Sequence, residues 1–299
     1  MKNLIRVGIV GLVLLASLLP CLTISPSVSA TGNISYGMWD FLSSPTTGNV
    51  NASCVNWFCA SNFDWIVYPY GTNGTPSIMA DTLYAAGKDI ILRTWFLDDI
   101  NISIGHKTWT DLKTNSSLYN SALATIENQI NTVGESYLYA VTINEEEPDD
   151  GYWGGAVNVS DFITVHNHMY ADLKLEYPTL KVFPFINIDD FTDGELATLD
   201  MDGLVADMYS ANVLGTITPF FTRMMSFGGN ETYCIMHASS NYAPWAALIT
   251  PTILGVTEKT AEALSVPHLG WFAYDFSTSP HKSILFNNWP VCSDLNSAN

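Results

Sequence analysis

The sequence has little charge, and positive charge is the scarcer kind. Only 13% of the 299 residues are charged, and 11 Lys and Arg stand against 29 Asp and Glu, which gives a formal charge of −18. This shortage of Lys and Arg argues against nucleic acid as a partner, because phosphate binding requires clustered cations. No second long apolar run follows the N-terminus, which rules out a polytopic membrane protein, and a hydrophobic share of 47% rules out intrinsic disorder.

The N-terminal segment is organised like a secretory signal peptide. Lys2 and Arg6 form a basic start, and residues 7–19 are an apolar stretch that is short for a membrane span. Residues 28–30 are small, as a cleavage site requires. We therefore predict a signal peptide over residues 1–30 and a secreted, extracellular protein with no membrane association after cleavage.

Export predicts two kinds of covalent modification. Four cysteines follow the leader, and an even number in an exported protein predicts two disulfides. We predict that Cys54 pairs with Cys59 and that Cys234 pairs with Cys292; zinc at the Cys-x4-Cys pair is the alternative. Asn-x-Ser/Thr sequons predict a glycoprotein. The sequons begin at Asn33, Asn51, Asn73, Asn101, Asn115, Asn158 and Asn230.

Short apolar runs that resemble strands alternate with helical stretches along the rest of the chain. The runs are nearly continuous, as is typical of parallel strands covered on both faces. They span residues 34–41, 63–70, 88–96, 137–144, 180–188, 203–209, 232–237 and 268–276. The helix candidates span residues 76–87, 118–133, 161–177 (with Ser160 as N-cap) and 252–264. No linker divides the chain, so we predict an α/β fold with a single (β/α)8 barrel over residues 31–299; an open doubly wound sheet is the alternative.

Acidic and aromatic residues follow the ends of these runs. In a (β/α)8 barrel the carboxyl ends of the strands meet on the face that carries the active site. Aromatic rings stack on sugar rings and carboxylates bind hydroxyl groups, so the combination predicts a carbohydrate substrate. Helix capping and solvated loops are the alternative interpretation of the same acids. The candidate binding residues are Trp39, Asp40, Asp98, Asp189, Tyr209, His237, Tyr274 and Asp275.

Three consecutive glutamates, Glu145, Glu146 and Glu147, follow the fourth run, and we call them the glutamate triplet. Glu is a poor turn residue, and crowding of like charges raises at least one pKa, which suits a general acid. Strand alternation groups Glu146 with Ala140 and Thr142 in a small, polar set that suits a barrel interior. A hard metal such as calcium and a solvated loop are the alternatives.

The end of the fourth run resembles retaining (β/α)8 glycoside hydrolases. Asn144-Glu145 and Glu147-Pro148 are similar to the Asn-Glu-Pro signature of those enzymes, in which the Glu that ends the fourth strand is the general acid/base. The resemblance therefore favours Glu147, whereas strand alternation favours Glu146, and Glu145 ranks third.

Two further segments resemble chitinase-type barrels. Residues 207–209 are similar to their Met-x-Tyr strand, and residues 270–275 are similar to their eighth strand, which implies that Trp271 forms a floor under the sugar. The sequence also departs from both families. Retaining enzymes of that clan carry a nucleophilic Glu at the end of the seventh strand, but the seventh run ends in His237, and the acidic chitinase motif is missing from the fourth run.

The second carboxylate must therefore come from another strand end. The candidates are Asp207, Asp275 and Asp40, and Asp207 is preferred. Arg93 lies inside the apolar third run, where a buried guanidinium needs a carboxylate partner. It either forms a structural ion pair or orients an acid of the site.

These features predict a secreted glycoside hydrolase that cleaves a poly- or oligosaccharide by carboxylate acid/base catalysis. The glutamate triplet supplies the general acid, Asp207 activates water, and Tyr209, Trp271 and Tyr274 hold the sugar ring. No Walker loop, dinucleotide fingerprint or zinc-protease motif is present, and we predict neither a cofactor nor a metal. The alternatives are a catalytically silent carbohydrate-binding or cell-surface barrel and a calcium-dependent surface protein. The oligomeric state stays open.

Overall fold

The structure, a computed structural model, describes residues 34–39, 52–69, 76–94, 108–147, 158–208, 212–237 and 251–272. All of these residues belong to one compact unit that spans Gly32–Asn299. The predicted signal peptide lies outside the described residues and stays a prediction. Within the described ranges, no helix has the length and apolar character needed to cross a membrane.

Eight parallel strands close into a barrel in chain order, with the first strand hydrogen-bonded to the last. The strands are β1 (Ser35–Trp39), β2 (Trp65–Pro69), β3 (Asp89–Arg93), β4 (Ala140–Glu147), β5 (Lys181–Ile186), β6 (Leu204–Met208), β7 (Thr232–His237) and β8 (His268–Phe272). Each strand coincides with the apolar run predicted for it, although β4 continues through the glutamate triplet. The predicted (β/α)8 barrel is confirmed, and the closed ladder excludes the open sheet.

Helices follow the strands and cover the barrel. They are α1 (Ala52–Ala60), α2 (Pro76–Ala85), α3 (Trp109–Thr114), α4 (Ser116–Val133), α5 (Val159–Glu176), α6 (Asp193–Leu196), α7 (Thr218–Gly228) and α8 (Pro251–Leu264). The four predicted helices correspond to α2, α4, α5 and α8. Sequence periodicity did not predict α7, which carries Pro within its first turn, where proline is tolerated because its missing N–H would have no partner.

Side chains at the helix starts fix where the helices begin. The prediction of Ser160 as the N-cap of α5 is wrong, because Asn158 Oδ1 accepts the backbone N–H of Asp161 at 3.1 Å. Thr108 and Asp111 form a reciprocal capping box at the start of α3. These side chains bind N–H groups that have no partner within the first helical turn.

Inward side chains fill the barrel in levels, and each level comes from alternate strands, as the registers of neighbouring strands require. From the N-terminal end upward, the described members are Ser35, Asp89, Lys181 and Glu231; then Trp65, Ala140, Gly203 and His268; then Gly37, Ile91, Phe183 and Tyr233; then Val67, Thr142, Val205 and Gly270; then Arg93, Phe185 and Ile235; and finally Asp207. Charge is thus concentrated in the lowest and the two highest levels, with a largely apolar interior between them.

Trp65 fills the lower half of the barrel because two inward positions on adjacent strands lack side chains. A Cβ added to Gly37 would lie 2.0 Å from Cδ2 of Trp65, and one added to Gly270 would lie 2.4 Å from its Cη2. The indole Nε1 donates to the Ser35 carbonyl at 3.2 Å, and the ring meets Tyr233 edge-on at a centroid distance of 5.0 Å.

The N-terminal end of the barrel carries a group of hydrogen-bonded and stacked side chains that we call the basal network: Tyr139, Lys181, Glu231, Tyr233 and His268. The Lys181 ammonium lies 2.6 Å from Glu231 Oε1 and also donates to the Tyr139 hydroxyl, which donates to Glu231 Oε2 at 2.9 Å. His268 stacks on Tyr233 with a centroid distance of 4.1 Å. Burial lowers the pKa of Lys181, but the bonds to Glu231 and Tyr139 outweigh burial and raise it overall. The lysine therefore stays charged within the network.

The predicted disulfides are not formed, because Cys59 and Cys234 carry free thiols. Cys54 and Cys59 lie in the same helix, α1, where five residues span about 7.5 Å along the axis, which exceeds the reach of a disulfide. Cys234 is fully buried in β7, and burial raises the pKa of its thiol. Its predicted partner, Cys292, lies outside the described residues.

Candidate active site

Two charged side chains, Arg93 at the end of β3 and Asp207 near the end of β6, face the inside of the barrel at its C-terminal end; we call them the upper pair. Arg93 is 5% exposed and Asp207 is 7% exposed. Arg93 is register partner to Thr142, and Asp207 is register partner to Ile235, which packs inside the barrel. The registers place Asp207 about one residue step, roughly 3 Å, above the level of Arg93.

The upper pair stands on an apolar floor. Val67 and Val205 lie in the level below Arg93, and Phe185 and Ile235 share its level; all four are fully buried. The floor excludes water from below, so charges on the upper pair interact through a medium less polar than bulk water. The upper pair lies at the C-terminal end of the barrel, where barrel enzymes carry their active sites.

A buried hydroxyl fixes the backbone beside Arg93. The Thr94 Oγ1 donates to the Thr142 carbonyl at 2.6 Å, and both threonines are fully buried. The bond extends the β3–β4 ladder by one residue beyond the Arg93–Thr142 register pair. Thr94 was not predicted from the sequence, because a single hydroxyl residue within an apolar run does not indicate a site.

The glutamate triplet lies in β4 at the same end of the barrel. The register between β4 and β5 is regular up to Ile143 opposite Pro184, and it then shifts so that Glu147 lies opposite Ile186. Two extra residues of β4 are accommodated in this interval, as in a β-bulge, a feature that is common next to active sites. The irregularity breaks the strand alternation on which the ranking of Glu146 rested. The triplet's side chains lie outside the described part of the chain.

Trp271 does not line the barrel mouth. Its side chain is 0% exposed and packs in the core between the strands and the helices, whereas the preceding residue, Gly270, faces inward against Trp65. The prediction that Trp271 holds the sugar is therefore wrong. The resemblance matched the residue type in the eighth strand, but the period-two alternation of the strand assigns this tryptophan to the outer face.

Asp189 belongs to a surface ion cluster. It follows β5 in the turn Ile188–Asp190, and its exposed carboxylate lies 3.8 Å from Arg223 of α7. Arg223 also pairs with Asp193 at 3.0 Å and donates to the Ile188 carbonyl at 2.8 Å. The solvated-loop interpretation therefore describes Asp189 better than a role beside the upper pair.

The side chains of the other predicted binding residues lie outside the part of the chain that the structure describes. Trp39 and His237 end β1 and β7 at the C-terminal end of the barrel, and their side chains lie outside the described part. Five further candidates lie outside the described residues: Asp40, Asp98, Tyr209, Tyr274 and Asp275. In the described ranges, no group of three or more His, Cys, Asp or Glu residues is arranged to hold a metal ion.

Comparison with known proteins supports the architecture. The chain matches no protein-family model and no curated protein. The endo-1,4-beta-mannanase from Rhizomucor miehei superposes with a TM-score of 0.62 at 11% identity, over 89% of this chain and 93% of the mannanase. PbGH5A, a glycoside hydrolase family 5 enzyme from Prevotella bryantii B14, gives a TM-score of 0.53 at 11% identity, over 90% of this chain and 97% of that enzyme.

A third neighbour is longer than this protein. A glucosidase from Croceicoccus marinus superposes with a TM-score of 0.54 at 13% identity, over 81% of this chain, which spans 60% of the glucosidase. Identities this low establish the fold alone. These three glycosidases share the barrel fold of this chain, so the (β/α)8 fold that the resemblance implied is confirmed.

Proposed function

We propose that the protein is a secreted glycoside hydrolase that cleaves a poly- or oligosaccharide with two carboxyl groups at the C-terminal end of its barrel. The observation that carries the proposal is the position of Asp207, which is buried, faces inward and stands above an apolar floor. A carbohydrate ligand is supported by the fold likeness to PbGH5A, a variant of which was solved in complex with a xyloglucan tetradecasaccharide.

In the proposed reaction a glutamate of the triplet protonates the glycosidic oxygen while Asp207 accepts a proton from the water that attacks the anomeric carbon. Strands β4 and β6 are separated by one strand, so their backbones lie about 9–10 Å apart. Inverting enzymes hold their two carboxyls roughly 6.5–9.5 Å apart to leave room for the water. We therefore favour an inverting reaction.

The remaining rim residues would bind the sugar. Trp39, Tyr209 and Tyr274 would stack on the ring, and the acids Asp40, Asp98 and Asp275 with His237 would bind hydroxyl groups. Export through the signal peptide is part of the same proposal. Exposure of Asn115, Asn158 and Asn230 supports N-glycosylation at those sequons.

A second candidate is a catalytically silent barrel that binds carbohydrate. The observation that favours it is the end of β7, which is His237, the position at which the resembled retaining enzymes carry their nucleophilic Glu. A silent barrel would keep the stacking residues and bind glycans without turnover.

The test is hydrolysis of a panel of neutral glycans by the wild type and by Glu145→Gln, Glu146→Gln and Glu147→Gln. Loss of the general acid is expected to lower turnover by about 10²–10⁴-fold, and by less for aryl glycosides, whose leaving groups need no proton. Full activity in all three variants would remove the triplet from the mechanism. Glycan binding without turnover in the wild type would favour the silent barrel.

A further inference from the structure

The pairing of β4 with β5 resumes beyond the irregular interval and gives a second point of reference for the glutamate triplet. Glu147 is register partner to Ile186, the last residue of β5. Register partners in neighbouring parallel strands lie on the same face of the sheet, as Phe185 and Val205 do inside the barrel. Ile186 packs in the core between the strands and the helices, as does Ile143 before the interval. Glu147 therefore takes a position on the outer face of β4.

The residue before Glu147 takes a position on the inner face. Successive residues of a strand alternate between the two faces, and β4 is a strand through Glu147. Glu146 thus precedes Glu147 as Phe185, which packs inside the barrel, precedes Ile186. The interval accommodates two extra residues of β4, so Glu146 takes the place beside Phe185 that Asn144 would hold in a regular ladder.

This place lies at the level of Asp207. Thr142 of β4 and Val205 of β6 share one level of the interior, and Asp207 follows two residues after Val205 on the same face. On β4, the next inner place above Thr142 is the one beside Phe185, which Glu146 holds. Glu146 and Asp207 therefore hold matching places on β4 and β6, with one strand between them.

We propose that Glu146 is the glutamate that protonates the glycosidic oxygen, whereas Glu147, which the motif resemblance favours, takes no part in the proton transfer. The inference rests on the proposed function and deepens it. Matching places on strands about 9–10 Å apart suit the separation of roughly 6.5–9.5 Å between the two carboxyls of an inverting enzyme. Glu146 gives its proton to the leaving oxygen as the glycosidic bond breaks. Asp207 takes a proton from the water whose oxygen bonds to the anomeric carbon, and exchange with solvent then restores both groups.

The first test compares Glu146→Gln and Glu147→Gln on a neutral glycan and on a dinitrophenyl glycoside. For Glu146→Gln we expect a loss of about 10²–10⁴-fold on the glycan and a much smaller loss on the glycoside, whose leaving group needs no proton. Asp207→Asn should lose activity on both substrates, because the water still needs a base. Glu262→Gln, at the surface of α8, is the control and should resemble the wild type. A general-acid pattern in Glu147→Gln, with Glu146→Gln unaffected, would overturn the inference.

The second test measures the arrangement without turnover. The double variants Glu146→Cys/Asp207→Cys and Glu147→Cys/Asp207→Cys are treated with a bifunctional thiol reagent that spans about 6–10 Å. Peptide mapping separates the bridge from products of the free thiols of Cys59 and Cys234. We expect a bridge in the first double variant and none in the second. A bridge through position 147, or through neither position, would overturn the inference. If the wild type hydrolyses no glycan, the proposed function fails, while the bridge still decides which glutamate position lies opposite Asp207.

Discussion

The two ends of the barrel differ in what their inward charges do. At the N-terminal end, Lys181 and Glu231 form an ion pair with 2.6 Å between Nζ and Oε1. The Tyr139 hydroxyl accepts a hydrogen bond from Lys181 and donates one to Glu231. At the C-terminal end, Arg93 and Asp207 stand above an apolar floor on strands that lie three positions apart. Charges at the N-terminal end form an ion pair that closes the barrel, whereas the charges at the C-terminal end lie where barrel enzymes carry their active sites.

This difference between the two ends is typical of (β/α)8 barrels. Residues at the bottom of a (β/α)8 barrel stabilise it, whereas residues at the strand ends on top perform chemistry. Substitutions at the lower end should therefore lower stability without changing turnover per folded molecule. Substitutions in the upper pair should lower turnover with little change in stability.

The largest stability effect is expected where the lower half is filled most tightly. Gly37→Ala would place a Cβ 2.0 Å from the fully buried Trp65 ring, and we expect a loss of about 3 kcal/mol or more in the free energy of unfolding. Urea unfolding measures it. Gly194→Ala is the control, since its nearest neighbour would be 3.9 Å away and stability should hardly change. Equal stabilities for the two variants would show that Trp65 does not require the glycine.

A pH-dependent loss of nearly the same size is expected from His166 of α5. Its Nε2 lies 3.0 Å from the Asp200 carbonyl in the segment before β6, and burial lowers the pKa of the ring to about 4. The unfolded chain therefore binds the proton first, so stability is full above about pH 6.5 and falls by about 3 kcal/mol as the pH drops to 4.

Urea unfolding at several pH values tests this prediction. His166→Gln should remove that part of the pH dependence, because Gln does not titrate. His168→Gln, on the exposed side of the same helix, should retain it. A stability curve of the same shape in the wild type and in His166→Gln would show that His166 is not the titrating group.

A smaller effect is expected within the basal network. Glu231→Gln leaves the half-buried Lys181 without its counter-charge, and we expect a loss of about 1–2 kcal/mol. Glu262→Gln breaks an exposed pair with Lys259 and should cost less than about 0.5 kcal/mol. Thermal unfolding at pH 7 measures both. A Glu231→Gln variant as stable as Glu262→Gln would mean that the network does not close the barrel.

The smallest effect is expected at the rim acid that belongs to the surface. Asp189→Asn removes an exposed charge 3.8 Å from Arg223, so stability should change by no more than about 0.5 kcal/mol. Turnover should stay within about threefold of the wild type. A loss of more than tenfold in turnover, measured with the same glycans, would show that Asp189 belongs to the active site.

The strands were predictable from the sequence because each is a short apolar run, and β7 matches its prediction over Thr232–His237 without a shift. Period-two alternation in the sixth run puts Asp207 on the same face as Val205, and Val205 packs inside the barrel. Alternation could not place the glutamate triplet, because the register of β4 shifts after Ile143 and period two no longer applies.

Contacts between distant segments were beyond the sequence. Trp271 faces outward because the inward position beside it in β8 is Gly270. Only a residue without a side chain leaves room there for Trp65, which lies two strands away in the closed barrel. The free Cys59 depends on α1, a helix whose apolar residues show little periodicity. The basal network joins residues up to 92 positions apart, such as Tyr139 and Glu231, and no local pattern encodes such a pair.

The central claim is that the upper end of the barrel hydrolyses glycosidic bonds with Asp207, while the lower end only supports the fold. The most direct test is release of reducing sugar from a neutral glycan panel by the wild type, Asp207→Asn and Glu231→Gln, which make the same carboxylate-to-amide change at opposite ends. We predict a loss of about 10²–10⁴-fold for Asp207→Asn and a change within about threefold for folded Glu231→Gln. Equal turnover in the two variants, or none in the wild type, would contradict the claim.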